Sequence, residues 1–374
     1  MQRVLVVGQL PPPYHGSNVM AEIMLSSLKT KGYRVAFIDK GFSKSISNIG
    51  KLTLHKLVRI PFLGLEILVK SLLTKPALCI YFPAVGKSTF FLDAIYLFII
   101  RMCKIPYVLR FGGKGYSLLQ KEGLFWKKIV AASLSNAMGG IVLGNNMKWD
   151  VNSYINEKNL INVPSGVPEP SVKQRINNDG NIRVLYLANL HPTKGPFEVL
   201  KAAKIVVEKQ KNIRFILAGA FSSNLFKEKI HSYIVNNGLA NYISLPGSVH
   251  GKQKEFLFSS SDIFVFPTYF EREVFGTVNV EAMSYGLPVI SSPEGAIPEI
   301  VQNGETGFIV NPKSPEEIAE KILFLANNSP FRKVMGDKAK KVFEQKYTLK
   351  VHAASLDRAV KHFLKLSHDN KQKQ

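Results

Sequence analysis

Two carboxylates and one helix start hold most of the chemistry legible in this chain. Glu273 lies in the loop after an apolar run at 262–267, and Glu281 lies eight positions on, in a short helix that starts near Thr277. Gly276 stands at the junction, and Gly286-Leu287-Pro288 ends the helix before the next apolar run. In a parallel sheet such a loop sits at a strand's carboxyl end, where ligands bind, so both carboxylates can face one pocket. The helix start between them offers unpaired N–H groups and roughly half a positive charge, which suits an anion. A carboxylate can accept two hydrogen bonds from a vicinal diol, as on a ribose or hexose, each contributing about 1.5–3 kcal/mol. Taken alone, the same two glutamates also read as a helix cap and a solvated surface residue.

The elements that must position these groups follow a regular alternation. Short apolar runs predict strands at 3–8, 34–39, 77–82, 106–110, 140–143 and 160–163, and again at 182–188, 213–218, 242–245, 262–266, 288–291 and 307–310. Amphipathic stretches between them, such as 18–31, 88–104 and 124–136, predict helices. Continuous Val/Ile/Leu/Phe strands joined by helices indicate parallel sheets covered on both faces. Residues 164–181 (PSGVPEPSVKQRINNDGN) are polar, with three prolines and two glycines, a linker composition. The expected fold is therefore α/β, with two doubly wound, Rossmann-like domains facing a cleft. Its parts are a first domain at 1–165, a linker at 166–181 and a second domain at 182–348. A helix at 349–366 packs back on the first domain, and a frayed tail follows at 367–374.

Composition narrows the classes. At 374 residues with 46% hydrophobic and 20% charged residues, the chain can bury large cores and is not a disordered or collagen-like sequence. Two cysteines, Cys79 and Cys103, cannot make a disulfide framework, which fits a reducing, cytoplasmic compartment. The start lacks a signal-peptide pattern, and the longest unbroken apolar run, 94–100, is far short of the ~18 residues of a span. The net charge of +22 is uneven: residues 40–128 hold fifteen Lys and Arg against Glu66, Asp93 and Glu122. Such a surface points to an anionic neighbour: a membrane leaflet, a phosphorylated lipid or a nucleic acid, of which a membrane inner face against residues 40–128 is the one favoured here. Residues 51–73 (KLTLHKLVRIPFLGLEILVKSLL) mix apolar side chains with Lys51, Lys56, Arg59 and Lys70. They read either as an interfacial helix, broken or kinked at Pro61 and Gly64, or as a core helix with a solvated basic side.

The full string EVFGTVNVEAMSYGLPV (273–289) reads E-x-F-G-x-x-x-x-E-A-M-x-x-G-x-P-V. It resembles the signature of the retaining glycosyltransferases of family 4, which have the two-domain GT-B fold. Downstream, SSPEGAIPEIVQNGETGFIV (291–310) is similar to the family's next stretch, and upstream ANLHPTKGPFEVLKAAK (188–204) is similar to the first strand-loop-helix of its second domain. The likeness runs through the second domain continuously and through the first more loosely.

The resemblance implies roles. Glu281 would hold the donor ribose, and Glu273 would touch the transferred sugar. Lys194 would meet the donor diphosphate, where a cation also offsets charge building on the departing phosphate. The backbone N–H groups of Gly276, Thr277 and Val278 would approach the donor, and Gly247, Ser248 and Val249 would line its base. Gly16, at the helix entrance after the first strand, would reach the diphosphate, since no side chain blocks its backbone. The family usually pairs the lysine with an arginine, and this sequence has Asn189 there. Arg110 and Lys114, in RFGGKG (110–115) with Gly112 and Gly113, are further candidates for the missing cation. The family's histidine in the first domain is also absent, because no histidine occurs between His55 and His191.

Other motifs carry less. His15 reads as a ligand or as an exposed loop residue. VGKST (85–89) lacks the first glycine of a P-loop, with Tyr at position 81, and G-x-G-x-x-G is absent. No D-x-D occurs and no ligand-spaced His/Cys/carboxylate cluster stands out, so neither a metal nor a cofactor is implied. The expected activity is metal-independent transfer of a sugar from a nucleotide-sugar to a glycan or lipid-linked acceptor, as in polysaccharide or lipopolysaccharide synthesis. The alternatives are a sugar-nucleotide epimerase or a phosphorylase of the same fold. A nucleic-acid-binding module rests on charge alone, and the recognisable modules are missing.

Overall fold

The computed structural model describes residues 2–12, 16–41, 54–172 and 180–372. The chain divides into two units, Met1–Gly166 with Leu349–Gln374, and Val167–Thr348. His15 and Lys51 lie outside the described residues, as does the side chain of Lys56.

The first unit runs β1 (Arg3–Gly8), α1 (Gly16–Thr30), β2 (Arg34–Asp39), α2 (Leu54–Thr74), β3 (Leu78–Tyr81), α3 (Lys87–Met102), β4 (Tyr107–Arg110), α4 (Tyr116–Leu119), α5 (Leu124–Leu134), β5 (Gly139–Val142) and β6 (Leu160–Asn162). The strands form one parallel sheet in the order β2-β1-β3-β4-β5-β6. Strands β3, β4 and β5 are buried at every residue, the signature of a sheet covered on both faces. One apolar cluster joins Leu5, Cys79 and Leu109 to Ile67, Leu97 and Val130 of α2, α3 and α5. The other joins Val4, Ile80 and Val108 to Met24 of α1 and to the C-terminal helix.

The second unit runs β7 (Ile182–Leu187), α6 (Pro196–Lys209), β8 (Ile213–Ala218), α7 (Asn224–Asn236), β9 (Ile243–Gly247), α8 (Gly251–Ser259), β10 (Ile263–Phe266), α9 (Thr277–Ser284), β11 (Val289–Ser291), α10 (Ile297–Ile300), β12 (Gly307–Ile309), α11 (Pro315–Asn327) and α12 (Ser329–Lys346). Its parallel sheet has the order β12-β11-β10-β7-β8-β9, so the order reverses beside β7 and β10. That reversal is where ligands bind in doubly wound sheets. The last helix, α13 (Leu349–Gln372), returns to the first unit, where Leu356, Val360 and Phe363 are buried. Tyr33 Oη donates to Asp357 Oδ1 at 2.8 Å, fixing α13 beside β2.

Two expectations are corrected. Pro61 and Gly64 do not break the helix, since α2 is continuous from Leu54 to Thr74. Pro61 forgoes one backbone bond, and Tyr96 Oη donates to Ile60 O at 3.2 Å, tying this turn of α2 to α3. Leu63 and Ile67 bury the inner side of α2, and a Cβ on Gly64 would stand 3.3 Å from Ile99 Cδ1, so glycine allows α2 to lie close on α3. The tail is not frayed directly after Leu366, because α13 continues to Gln372 and buries Ser367.

Candidate functional site

Lys194 and Glu273 are 79 positions apart in the chain, yet Lys194 Nζ lies 2.8 Å from Glu273 Oε2. The topology explains the meeting. Lys194 ends the turn after β7, Glu273 lies in the loop after β10, and β7 and β10 are paired neighbours. The two loops are stitched together where Tyr269 N donates to Thr193 O at 2.8 Å. Gly195 permits the close approach: its φ is +79°, and a Cβ there would stand 2.3 Å from Pro267 O. Below the lysine, Tyr186 Oη donates to Lys194 O at 3.2 Å. Burial first and the Glu273 charge second push the Tyr186 hydroxyl far above its ordinary pKa, so it stays a donor. Rings of Phe266 and Phe270 lie 5.6 and 5.1 Å from the Lys194 ammonium and complete its seat.

The second carboxylate has a separate partner. Glu281, on α9, accepts from Lys254 Nζ of α8 at 2.7 Å. Both pairs are partly shielded, with side chains 13–29% exposed, so they can hold geometry and still exchange partners with a ligand. Between them stands the start of α9. Gly276 is its N-cap at φ +65°, where a Cβ would meet Asn279 Nδ2 at 2.9 Å and Ile297 Cγ1 at 3.0 Å. Glu273 Oε1 accepts from Gly276 N at 3.2 Å. The helix-cap reading of Glu273 and its pairing with Lys194 therefore hold together, one for each carboxylate oxygen. Thr277 and Val278 are half-buried in the first turn, where no acidic side chain competes for the N–H groups.

The remaining candidates are placed as follows. Gly247 ends β9 half-buried, Ser248 is exposed and Val249 is buried. Asn189 is exposed after β7, and its carbonyl accepts from His191 N at 2.8 Å. Gly16 opens α1 in the first unit, exposed and with open space where a Cβ would stand. Arg110 ends β4 and is buried, while Gly112, Gly113 and Lys114 follow it half-buried. Asp150 anchors this loop, accepting from Gly115 N at 2.7 Å and Ser117 N at 2.9 Å.

Three participants were missed in the sequence. Lys254 sits in GKQK (251–254) with nothing local to mark it as the partner of Glu281. Tyr186 reads as an ordinary strand residue. Asn279 is fully buried, and neither carboxamide atom has a hydrogen-bond partner. Its position between Gly276 and Glu281 was the one available signal.

Comparison with known proteins points the same way. Residues 167–342 match the family model described as Glycosyl transferases group 1. The capsular polysaccharide biosynthesis glycosyltransferase CapM of Staphylococcus aureus is 31% identical over 191 residues, covering 50% of this chain and 48% of CapM. The D-inositol 3-phosphate glycosyltransferase of Streptomyces coelicolor is 27% identical over 41% of this chain and 35% of its own. This chain thus spans about half the length, or less, of these curated relatives. Among solved structures, Anabaena HepE in complex with UDP superposes with a TM-score of 0.76 at 16% identity, covering 97% of this chain and 100% of that one. A glycosyltransferase from Rickettsia africae superposes at 0.77 with 16% identity, covering 97% and 99%. These superpositions carry the fold: two Rossmann-like domains of the GT-B class. Together, the family match and the relatives support a glycosyltransferase.

Proposed function

We propose that this protein is a retaining, metal-independent glycosyltransferase of family 4. It moves a sugar from a nucleotide-sugar to a hydroxyl of a glycan or lipid-linked acceptor in cell-surface polysaccharide or glycolipid synthesis. The observation that carries this reading is the Lys194–Glu273 pair set against the N-terminus of α9, at the point where the sheet order reverses. The Anabaena HepE structures hold UDP, UDP with glucose, and UDP-glucose, which favours a nucleotide-sugar donor here.

In this reading the donor diphosphate lies against the N–H groups of Thr277 and Val278, and reaches that of Gly276 by displacing Glu273 Oε1, with Lys194 supplying the mobile positive charge. As the bond from sugar to diphosphate breaks, negative charge builds on the leaving oxygen and the ammonium stabilises it. Lys194 has three N–H donors, so it can hold Glu273 and a phosphate oxygen together. Glu273 orients the lysine and accepts a hydroxyl of the transferred sugar, and Glu281 holds the ribose diol. The acceptor hydroxyl attacks the face that the diphosphate leaves, and a phosphate oxygen of the departing nucleotide takes its proton. The test is proton NMR of the product formed from an α-linked nucleotide-sugar. An α product is expected, and a β product overturns the retaining assignment.

The same reading places the protein on a membrane through its first unit. Helix α2 is apolar on both sides: Leu63 and Ile67 face the core, while Phe62, Leu65, Leu72 and Leu73 are exposed. The exposed face continues through Phe98 and Met102 of α3 to Leu124 and Phe125 of α5, with Phe91 stacked on Phe125. Exposed Arg101, Lys104, Lys121, Lys127 and Lys128 stand on or beside these helices, matching anionic headgroups at about 1 kcal/mol each. Among the described residues no helix is long and apolar enough to cross a membrane. Flotation with phosphatidylglycerol vesicles should show binding that weakens as salt rises, and the double variant Phe62→Ser/Leu73→Ser should weaken it by about tenfold or more. Equal binding by the double variant would remove this face from the contact.

A further inference from the structure

We propose that the first unit contains an anion site centred on Arg110, and that it takes a carboxylate or phosphate group carried by the acceptor. The inference rests on the transfer reading for the word acceptor, and on the first unit alone for the site.

A cavity of about 220 Å³ lies at the carboxyl ends of β1, β3 and β4, lined by Gln9, Lys40, Phe82, Val85, Arg110 and Gly113 among others. Arg110 is the last residue of β4 and is 2% exposed. An arginine buried to this depth is ordinarily paired with a carboxylate, because an unpaired charge removed from water costs several kcal/mol. Among the described residues no carboxylate is paired with it. The guanidinium lies 5.2 Å from the centre of the Phe82 ring, and Nε has no hydrogen-bond partner.

The buried carboxylates of this region are committed elsewhere. Asp93 binds Lys40 Nζ at 2.6 Å, Ala84 N at 2.6 Å and the Tyr81 hydroxyl. Asp150 is engaged by the N–H groups of Gly115, Tyr116 and Ser117. Lys40 is therefore neutralised within the cavity wall, and Arg110 is left as a cation facing the space. Burial lowers its pKa only to about 10, so it is charged at neutral pH.

The chemistry selects the ligand class. A guanidinium is a planar, rigid fork of donors that matches two oxygens of a carboxylate or phosphate. A water occupies about 30 Å³, so the cavity has room for an oxyanion together with part of the sugar that bears it. An acidic acceptor, a uronic-acid glycan or a phosphate-bearing lipid-linked one, satisfies the buried charge. A neutral sugar leaves it unsatisfied.

The test is calorimetric titration of the full chain with glucuronate, inorganic phosphate, glucose and UDP. Glucuronate or phosphate should bind and glucose should not. Arg110→Met should weaken the bound anion by about tenfold or more while leaving UDP affinity as it was. Should Arg110→Met fold poorly, Gln9→Glu puts a carboxylate of matching shape into the same cavity and should weaken the anion comparably. Unmodified protein that takes up neither anion overturns the proposal, as do variants that bind them normally. Loss of UDP affinity in both variants equal to the loss for the small anions also overturns it, by assigning Arg110 to the donor diphosphate. Anion binding as described in a protein that binds no nucleotide-sugar supports the site and removes the transfer reading instead.

Discussion

Replacing Lys194 with alanine is expected to lower kcat/KM for sugar transfer by about 10²–10³-fold, equivalent to about 2.7–4 kcal/mol of transition-state stabilisation. The magnitude follows from its position. The ammonium sits at the carboxyl ends of β7 and β10, seated on Phe266 and Phe270, where charge on the departing diphosphate would develop. The change also strands Glu273, whose side chain is 13% exposed, so a lower melting temperature accompanies the loss. Lys194→Arg separates the two effects: it should restore the melting temperature and recover part of the rate. Steady-state kinetics of both variants check this, and a Lys194→Ala enzyme with unaltered kcat/KM would take the lysine out of the mechanism.

Glu281→Ala is expected to act on donor binding, with a fall in affinity of about 10²-fold or more. Two hydrogen bonds from a ribose diol to a charged carboxylate contribute roughly 1.5–3 kcal/mol each. The fold should tolerate the change. Lys254 loses a partner at 2.7 Å, but both side chains reach solvent, and a pair this exposed contributes less than about 1 kcal/mol. Donor affinity should thus fall with little change in melting temperature, the reverse of the pattern for a core substitution. A variant that binds UDP as the unmodified chain does would show that Glu281 serves only to hold α8 against α9.

The frame of both units was legible because a parallel sheet covered on both faces needs continuous apolar strands. The run Ile263–Phe266, buried at all four residues, shows this directly. The α9 segment was legible for a different reason. Its spacing of glutamate, glycine and glutamate is fixed by one loop and one helix turn, a local geometry.

What could not be read depended on chain segments far apart. Lys254 meets Glu281 across 27 positions and Lys194 meets Glu273 across 79. Each contact is set by strand order rather than by either local sequence. The continuity of α2 through Pro61 was misjudged because packing on α3 outweighs one missing backbone bond. Arg110 reads in the sequence as a candidate anion-binding cation beside two glycines, and only the tertiary structure shows it buried with no carboxylate bonded to it among the described residues.

Titration calorimetry of the unmodified chain with UDP-, GDP-, ADP- and TDP-sugars, repeated on Glu281→Ala, tests the central claim most directly. The account predicts saturable single-site binding of at least one of them, lost or weakened by about 10²-fold in the variant. Absence of binding by all four classes, or equal affinity in the variant, would contradict it.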